Sequence, residues 1–393
     1  MVFLRINGYN RLSLQEISEK KLLMRASMSL VSEDLLVLEE VHVLEYERVV
    51  KISDKDSGLR AIICIHNTTL GPALGGTRIY PYSSWEDALY DVKRLAKGMT
   101  YKSALAQTGL GGGKSVILAD PKKEKTKERL RAFGRAVHLL GGGYICAEDV
   151  GSSTEDMEFI REETPYVVGL ARSTSSGDPS PFTAWGTLRG IQAALKSIYG
   201  CESIQGKTVA IQGLGHVGAK LAELLFWMGA KLIVADIDSK RATEIGKNFS
   251  AAVCSSEEIY TAVCDVFAPC ALGGILNAKT IPTLRCKAVA GCANNQLGQD
   301  SDAEVLLARN ILYAPDFVIN AGGLINVTQE LEASGYVAET SRKKVDAIFD
   351  QLNIIFDIAK RKRCSTHGAA TDLGNYQLRY QIGKRTQPLC FHH

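Results

Sequence analysis

The run Gly213-Leu214-Gly215-His216-Val217-Gly218 constrains this chain more than any other feature. It follows a β-rich stretch, 207–212, and opens an apolar-periodic stretch, 219–228, that reads as a helix. A second strand-like run, 231–235, then ends on Asp236. In such a strand–turn–helix–strand unit the three glycines have separate tasks. Gly213 makes the tight turn, Gly215 lets the backbone approach an anion, and Gly218 lets helix and strand pack closely. The helix N-terminus adds partial positive charge. The pattern implies a doubly wound, Rossmann-type α/β layer that holds a dinucleotide through Gly213, Leu214, Gly215, His216, Val217 and Gly218. Asp236 would accept hydrogen bonds from the adenosine ribose and repel a 2′-phosphate, which favours NAD over NADP; Lys240 and Arg241 just beyond it work against that preference.

The rest of the chain is set by length and balance. At 393 residues it is long enough for about two domains, each with its own core. Lys+Arg 46 against Asp+Glu 43 leaves no basic excess for nucleic acid, and no stretch nears the roughly 18 apolar residues of a membrane span. The ten cysteines form no C-x-x-C pair and no zinc-finger spacing, so no metal is expected, and a reduced cytoplasmic protein is. Residues 1–33 carry mixed charge without a continuous apolar core, and read as a poorly ordered extension or a misassigned start rather than a secretory signal.

Before the dinucleotide unit, residues 46–67 read as two strands joined by the turn Asp56-Ser57-Gly58. A glycine-marked loop is expected over 71–78. Ser84-Trp85-Glu86-Asp87 has the form of a helix start, and Trp85, Ala88, Leu89, Val92, Ala96 and Met99 follow at helical spacing. Gly111-Gly112-Gly113 then leads through Lys114 into an apolar strand, 115–119. A helix is expected over 128–140 and a strand over 144–147, with Glu148-Asp149-Val150-Gly151 at its end. Ser, Gly and Pro make 173–181 the linker, and a long amphipathic helix is expected over 342–360. Taken singly, Lys114 reads as a solvated loop charge, Lys102 as a helix-end charge and Asp149 as a helix cap. Beside a dinucleotide module they also read as a cation for an anionic substrate and an acid/base pair.

In order along the chain, Gly71-Pro72-Ala73-Leu74-Gly75-Gly76-Thr77-Arg78, Gly98-Met99-Thr100-Tyr101-Lys102, Gly111-Gly112-Gly113-Lys114, Glu148-Asp149-Val150-Gly151 and Asn320-Ala321-Gly322-Gly323 resemble the glutamate/leucine/phenylalanine/valine dehydrogenase superfamily, nearest its leucine branch. The resemblance runs from about Tyr46 to about Arg385. It implies reversible oxidative deamination: an L-amino acid, NAD+ and water give a 2-oxo acid, ammonium and NADH. By resemblance Lys102 pairs with the substrate carboxylate, Lys114 is the acid/base that activates water, and Asp149 shuttles a proton to and from the amino group. A lysine near a second cation and desolvated loses its charged form more easily, which suits a base near neutrality. Gly75 and Gly76 would offer backbone groups to the substrate, and Thr183, Asn294 and Asn320 would contact nicotinamide and substrate. The resemblance further implies a homo-oligomer, an octamer, with residues 34–175 forming the substrate half, 342–393 returning to it, and 176–341 binding the cofactor.

Specificity rests on the side-chain pocket. The glutamate branch typically carries lysine where this chain has Leu74, and an apolar residue there would strand a second carboxylate. By the family's pattern Ala147, Leu324 and Val327 would complete an apolar pocket around the substrate side chain. Leucine-branch members usually carry valine at the place of Leu324, so the larger side chain shifts preference toward valine or isoleucine; one methylene is worth about 1–3 kcal/mol, which leaves several branched-chain substrates usable. Phenylalanine oxidation in the same family, or a dinucleotide-binding protein without catalysis, are the alternatives.

Overall fold

The computed structural model describes residues 36–170, 172 and 175–392, so the extension expected over 1–33 lies outside the described residues. The first half is a mixed six-stranded sheet in the order β1-β2-β3-β5-β4-β6, with β1 Leu36–Glu40, β2 Arg48–Asp54, β3 Leu59–Asn67, β4 Ala73–Tyr80, β5 Gly111–Leu118 and β6 Tyr144–Glu148. β3 meets β5 antiparallel, while β4 runs parallel to both β5 and β6. Helix α1, Trp85–Leu105, covers one face through Ala88, Val92 and Ala96 on Ile62, Cys64 and Val116. Helices α2, Lys127–Leu139, and α3, Thr154–Arg161, cover the other through Leu130, Phe133, Met157 and Ile160. Ser84 caps α1 as its sequence implies, its Oγ accepting the Asp87 N–H at 3.1 Å.

Two glycine-rich segments differ from their expected form. Residues 73–80 are a strand rather than a loop, and Gly111-Gly112-Gly113 is the start of β5 rather than a turn before it. The glycines serve proximity, not chain reversal. A Cβ on Gly75 would lie 1.9 Å from the Gly113 carbonyl oxygen, and one on Gly112 would lie 2.1 Å from the Thr100 nitrogen. Glycine in a strand interior marks such close approach of a second backbone.

The second half is a six-stranded parallel sheet in the order β12-β11-β10-β7-β8-β9, with β7 Thr208–Gln212, β8 Lys231–Ala235, β9 Ala252–Val253, β10 Val266–Pro269, β11 Ala288–Val289 and β12 Leu312–Tyr313. The order reverses at β7, the switch point where doubly wound sheets open a crevice beyond their strand C-termini. Helices α4, Ser180–Tyr199, α5, His216–Trp227, α6, Ser239–Asn248, α7, Asp302–Ala308, α8, Asp316–Ile319, and α9, Gly322–Thr328, surround it. The long amphipathic helix is α10, Ala338–Lys362; its buried Val345, Ile348 and Leu352 share the core of Leu188 and Ile191 in α4. The next helix, α11, Thr366–Arg379, reaches back to the first half, where Gly374 meets the Tyr101 ring and Asn375 accepts from the Tyr101 hydroxyl at 2.9 Å. No helix among the described residues is long and apolar enough to cross a membrane.

Candidate active site

Strand alternation places Leu74, Gly76 and Arg78 of β4, Gly112 and Lys114 of β5, and Ile145 and Ala147 of β6 on one face of the first sheet. Helix α1 lies over β5 on that face, close enough for Thr100 to touch Gly112, and so carries Lys102 to the same spot. A cavity of about 540 Å³ opens there between the two halves. Leu74, Gly76, Lys102, Lys114, Ala147 and Asp149 line it from the first half. Thr183, Val217, Asn294, Asn320, Leu324 and Val327 line it from the second.

Lys114 is only 6% exposed, so it is neither a loop residue nor a solvated charge. Its Nζ lies 2.6 Å from Asp149 Oδ2, and Arg78 Nε approaches the same oxygen at 3.3 Å. The pair has room because residue 76 is glycine: a Cβ there would lie 2.7 Å from Asp149 Cβ and 3.1 Å from Lys114 Nζ. Asp149 sits just past β6 on a turn closed by Gly151, whose φ of +83° and 2.0 Å approach to the Ile79 oxygen admit no side chain. The Asp149 N–H donates to Ser152 Oγ at 2.9 Å, and Ser152 in turn donates to the Thr77 carbonyl at 2.8 Å. Burial alone would raise the Asp149 carboxyl, but the Lys114 ammonium and the Arg78 guanidinium outweigh it and hold it below the usual carboxylate range.

Lys102 has a depressed pKa. Burial lowers it to about 8, with the Lys114 charge adding to the effect and Asp316 and Asp149 opposing it. Asp316 belongs to α8 of the second half and is buried at the cavity wall, where its carboxylate accepts the Gln296 N–H at 3.1 Å and the Phe317 N–H at 3.0 Å. Sequence reasoning missed both Arg78 and Asp316. Arg78 was legible in principle: had 73–80 been read as a strand, the two-residue period puts Arg78 on the face of Leu74 and Gly76. Asp316 after a proline reads as an ordinary helix start, and its only nearby signal is the motif that opens at Asn320, four residues on.

Gly75 lies on the opposite face of β4, its carbonyl accepting the Tyr144 hydroxyl at 2.7 Å, so it stands behind the cavity rather than in it. On the second half, Asn320 Nδ2 donates to Asn294 Oδ1 at 2.7 Å and to the Cys292 carbonyl at 3.2 Å. Its buried Oδ1 has no hydrogen-bond partner among the described residues and is free for a ligand donor. Gly322 and Gly323 let α9 cross α4 closely; a Cβ on Gly322 would lie 2.1 Å from the Phe182 oxygen.

The glycine turn adjoins the cavity through Val217; Gly213, Leu214, Gly215, His216, Gly218 and Asp236 lie beyond its lining. Gly213 has φ +93°, and a Cβ on Gly218 would lie 2.0 Å from the Gly213 oxygen, so turn and helix are packed as the fingerprint requires. Gly215 is the N-cap of α5 with no side-chain cap, and nothing within 4 Å meets a Cβ built on it. The first helical N–H groups thus have no side-chain cap and room beside them at Gly215, a fit for a pyrophosphate. Asp236 Oδ2 accepts the Leu214 N–H at 2.6 Å and Oδ1 the Asp238 N–H at 2.8 Å, which leaves a lone pair on each oxygen for a ribose hydroxyl. Arg241 approaches Asp236 at 3.9 Å and Asp238 at 3.7 Å.

Residues 46–166 match the family model described as the Glu/Leu/Phe/Val dehydrogenase dimerisation domain, and residues 234–371 match that of glutamate/leucine/phenylalanine/valine dehydrogenase. The chain belongs to this dehydrogenase family. A leucine dehydrogenase of Thermoactinomyces intermedius is 51% identical over 327 residues, 83% of this chain and 89% of the relative. The crystal structure of L-tryptophan dehydrogenase from Nostoc punctiforme superposes with a TM-score of 0.75 at 44% identity, covering 86% of this chain and 96% of that one. A hetero-hexameric glutamate dehydrogenase of Thermus thermophilus shares the fold at 22% identity, with a TM-score of 0.69 over 95% of this chain and 98% of its own. The family is one of dinucleotide-binding dehydrogenases, in keeping with the open glycine turn. Among the described residues no cluster of side chains could hold a metal ion.

Proposed function

We propose that the protein is an NAD-dependent dehydrogenase of branched-chain L-amino acids, converting leucine, valine or isoleucine, with NAD+ and water, into the 2-oxo acid, ammonium, NADH and a proton. The observation that carries this is the Lys114–Asp149 pair at 2.6 Å, which shares with Lys102 a cavity whose side-chain end is built from Leu74, Leu324 and Val327. When bound at the glycine turn, NAD supplies the hydride acceptor. The chain's residues do the rest. Lys102 holds the substrate carboxylate, Asp149 takes a proton from the amino group, and Lys114 takes a proton from the water that adds to the imine carbon. Thr183, Asn294 and Asn320 orient nicotinamide and substrate. The buried apolar face of Leu74 leaves a glutamate side chain without a partner.

In this reading residues 34–175 form the substrate half and 176–341 the cofactor half. The chain assembles as a homo-oligomer, an octamer, and works in the cytoplasm, in keeping with its ten free cysteines. The test is NADH absorbance with purified protein, NAD and each amino acid in turn. Turnover of leucine, valine and isoleucine well above phenylalanine and glutamate is expected. Fastest turnover of phenylalanine would replace the substrate assignment, and NADH binding with no turnover on any amino acid would overturn the enzyme. Sedimentation analysis checks the assembly.

A further inference from the structure

Residues 385–392 follow α11 and begin where the span of the family resemblance ends. They are nonetheless held in a defined path across both halves. The Arg385 N–H donates to the Leu70 carbonyl at 2.9 Å on the first half, and its guanidinium reaches Glu332 at 2.8 Å on the second. The Cys390 N–H donates to the Leu331 carbonyl at 3.1 Å, His392 Nε2 lies 2.7 Å from the Glu332 carbonyl oxygen, and the Phe391 ring packs edge-on against Tyr166 at 5.3 Å.

Between those anchors, Leu389 and Phe391 pack on the apolar cluster of Leu74, Leu110, Ile145, Val168, Leu324, Val327 and Leu331. Leu74, Leu324 and Val327 line the cavity, whereas Leu331 does not and stands buried behind them. The partly buried segment therefore packs from outside on the same cluster whose Leu74, Leu324 and Val327 form the pocket wall. Leu331 follows α9, the helix that carries Leu324 and Val327, so whatever presses on Leu331 sets how far that helix advances toward β4 and β6. A second tie acts on the same stretch: Glu330 accepts the Gly169 and Ser176 N–H groups at 3.0 Å and 2.7 Å.

We propose that residues 385–392 are a specificity-determining buttress, in which Leu389 and Phe391 fix the depth of the substrate side-chain pocket by backing Leu331, Val327 and Leu324. The inference rests on the branched-chain amino-acid reading of the site. Removing the backing lets α9 retreat, which enlarges the pocket and favours larger side chains over leucine. None of these residues touches substrate, so they act by positioning.

The experiment compares full-length wild type with Leu389→Ala/Phe391→Ala and with the volume-conserving Leu389→Met. kcat/KM is measured for valine, leucine, phenylalanine and tryptophan. A fall in folded fraction lowers all four equally and leaves their ratios unchanged, so the ratios isolate positioning from stability. The alanine pair is expected to raise the phenylalanine-to-leucine ratio by about tenfold or more, since pocket volume at the scale of a methylene already discriminates by about that much. The volume-conserving Leu389→Met is expected to keep the wild-type ratio. Unchanged ratios in the alanine pair, with wild type active on leucine, would overturn the buttress and leave the site reading standing. Wild type inactive on every amino acid would overturn both.

Discussion

Gly76→Ala tests the site with a single methyl group. Residue 76 is in an ordinary extended strand conformation, so alanine brings no backbone strain and the effect is one of packing. The added Cβ would lie 2.7 Å from both Asp149 Cβ and the Glu148 carbonyl oxygen, and 3.1 Å from Lys114 Nζ. Carbon atoms rest at about 3.5–4.0 Å, so Asp149 has to move by about 0.8 Å or more. Two of these neighbours are close to the backbone of a short turn, which cannot swing away as a long side chain can. Overpacking of this kind costs about 1–3 kcal/mol in stability. The loss of function should be larger in proportion, because a displacement near 1 Å in an aligned site costs about 100-fold in rate. The assay is kcat with leucine and NAD, read beside the melting temperature and the dissociation constant for NADH. A folded variant that binds NADH normally but turns over about 100-fold more slowly is expected. Wild-type turnover would show that the Lys114–Asp149 geometry is not what sets the rate.

Lys114→Ala should fold and bind NADH, since the glycine turn lies in the other half, yet lose turnover by about 10²–10⁴-fold; near-normal turnover with an unshifted pH profile would place the base elsewhere. Asp236→Ala removes ribose hydrogen bonds and the anchor of the Leu214 N–H, so NAD should bind about 10- to 100-fold more weakly and NADP be less disfavoured, as fluorescence titration would show. Leu74→Lys places a cation at a buried apolar wall and should depress leucine kcat/KM sharply; survival of wild-type efficiency would remove Leu74 from the pocket. With the free Lys102 near 8, its neutral form prevails above that pH while a bound carboxylate favours the charged form, so binding takes up a proton. Calorimetry of 4-methylpentanoate binding at pH 9, in buffers of different ionisation enthalpy, should read close to about one proton taken up per anion, and none in Lys102→Ala.

The dinucleotide half was legible in the sequence because its signal is local. The glycine fingerprint, the strand before it, the helix after it and Asp236 at the next strand end all fall within one supersecondary unit, and each residue type answers to a backbone requirement there. The helix start at Ser84 and the apolar face of α1 were legible for the same reason. Segments 73–80 and 111–113 were not: glycine is a breaker by composition, and only a second backbone brought alongside makes it a strand residue. That one difference decides the character of Lys114, a loop charge in isolation and a buried partner of Asp149 once β5 lies between β3 and β4. Arg78, Asp316 and the Leu389–Phe391 backing are likewise tertiary facts, each joined to the site by a partner far away in the chain. Sequence alone determined which residues have the right chemistry and where the phosphate turn lies. Which of them share one desolvated cavity was decided by the packing of two sheets and α1, because charge interactions and close contacts depend on separation in space rather than along the chain.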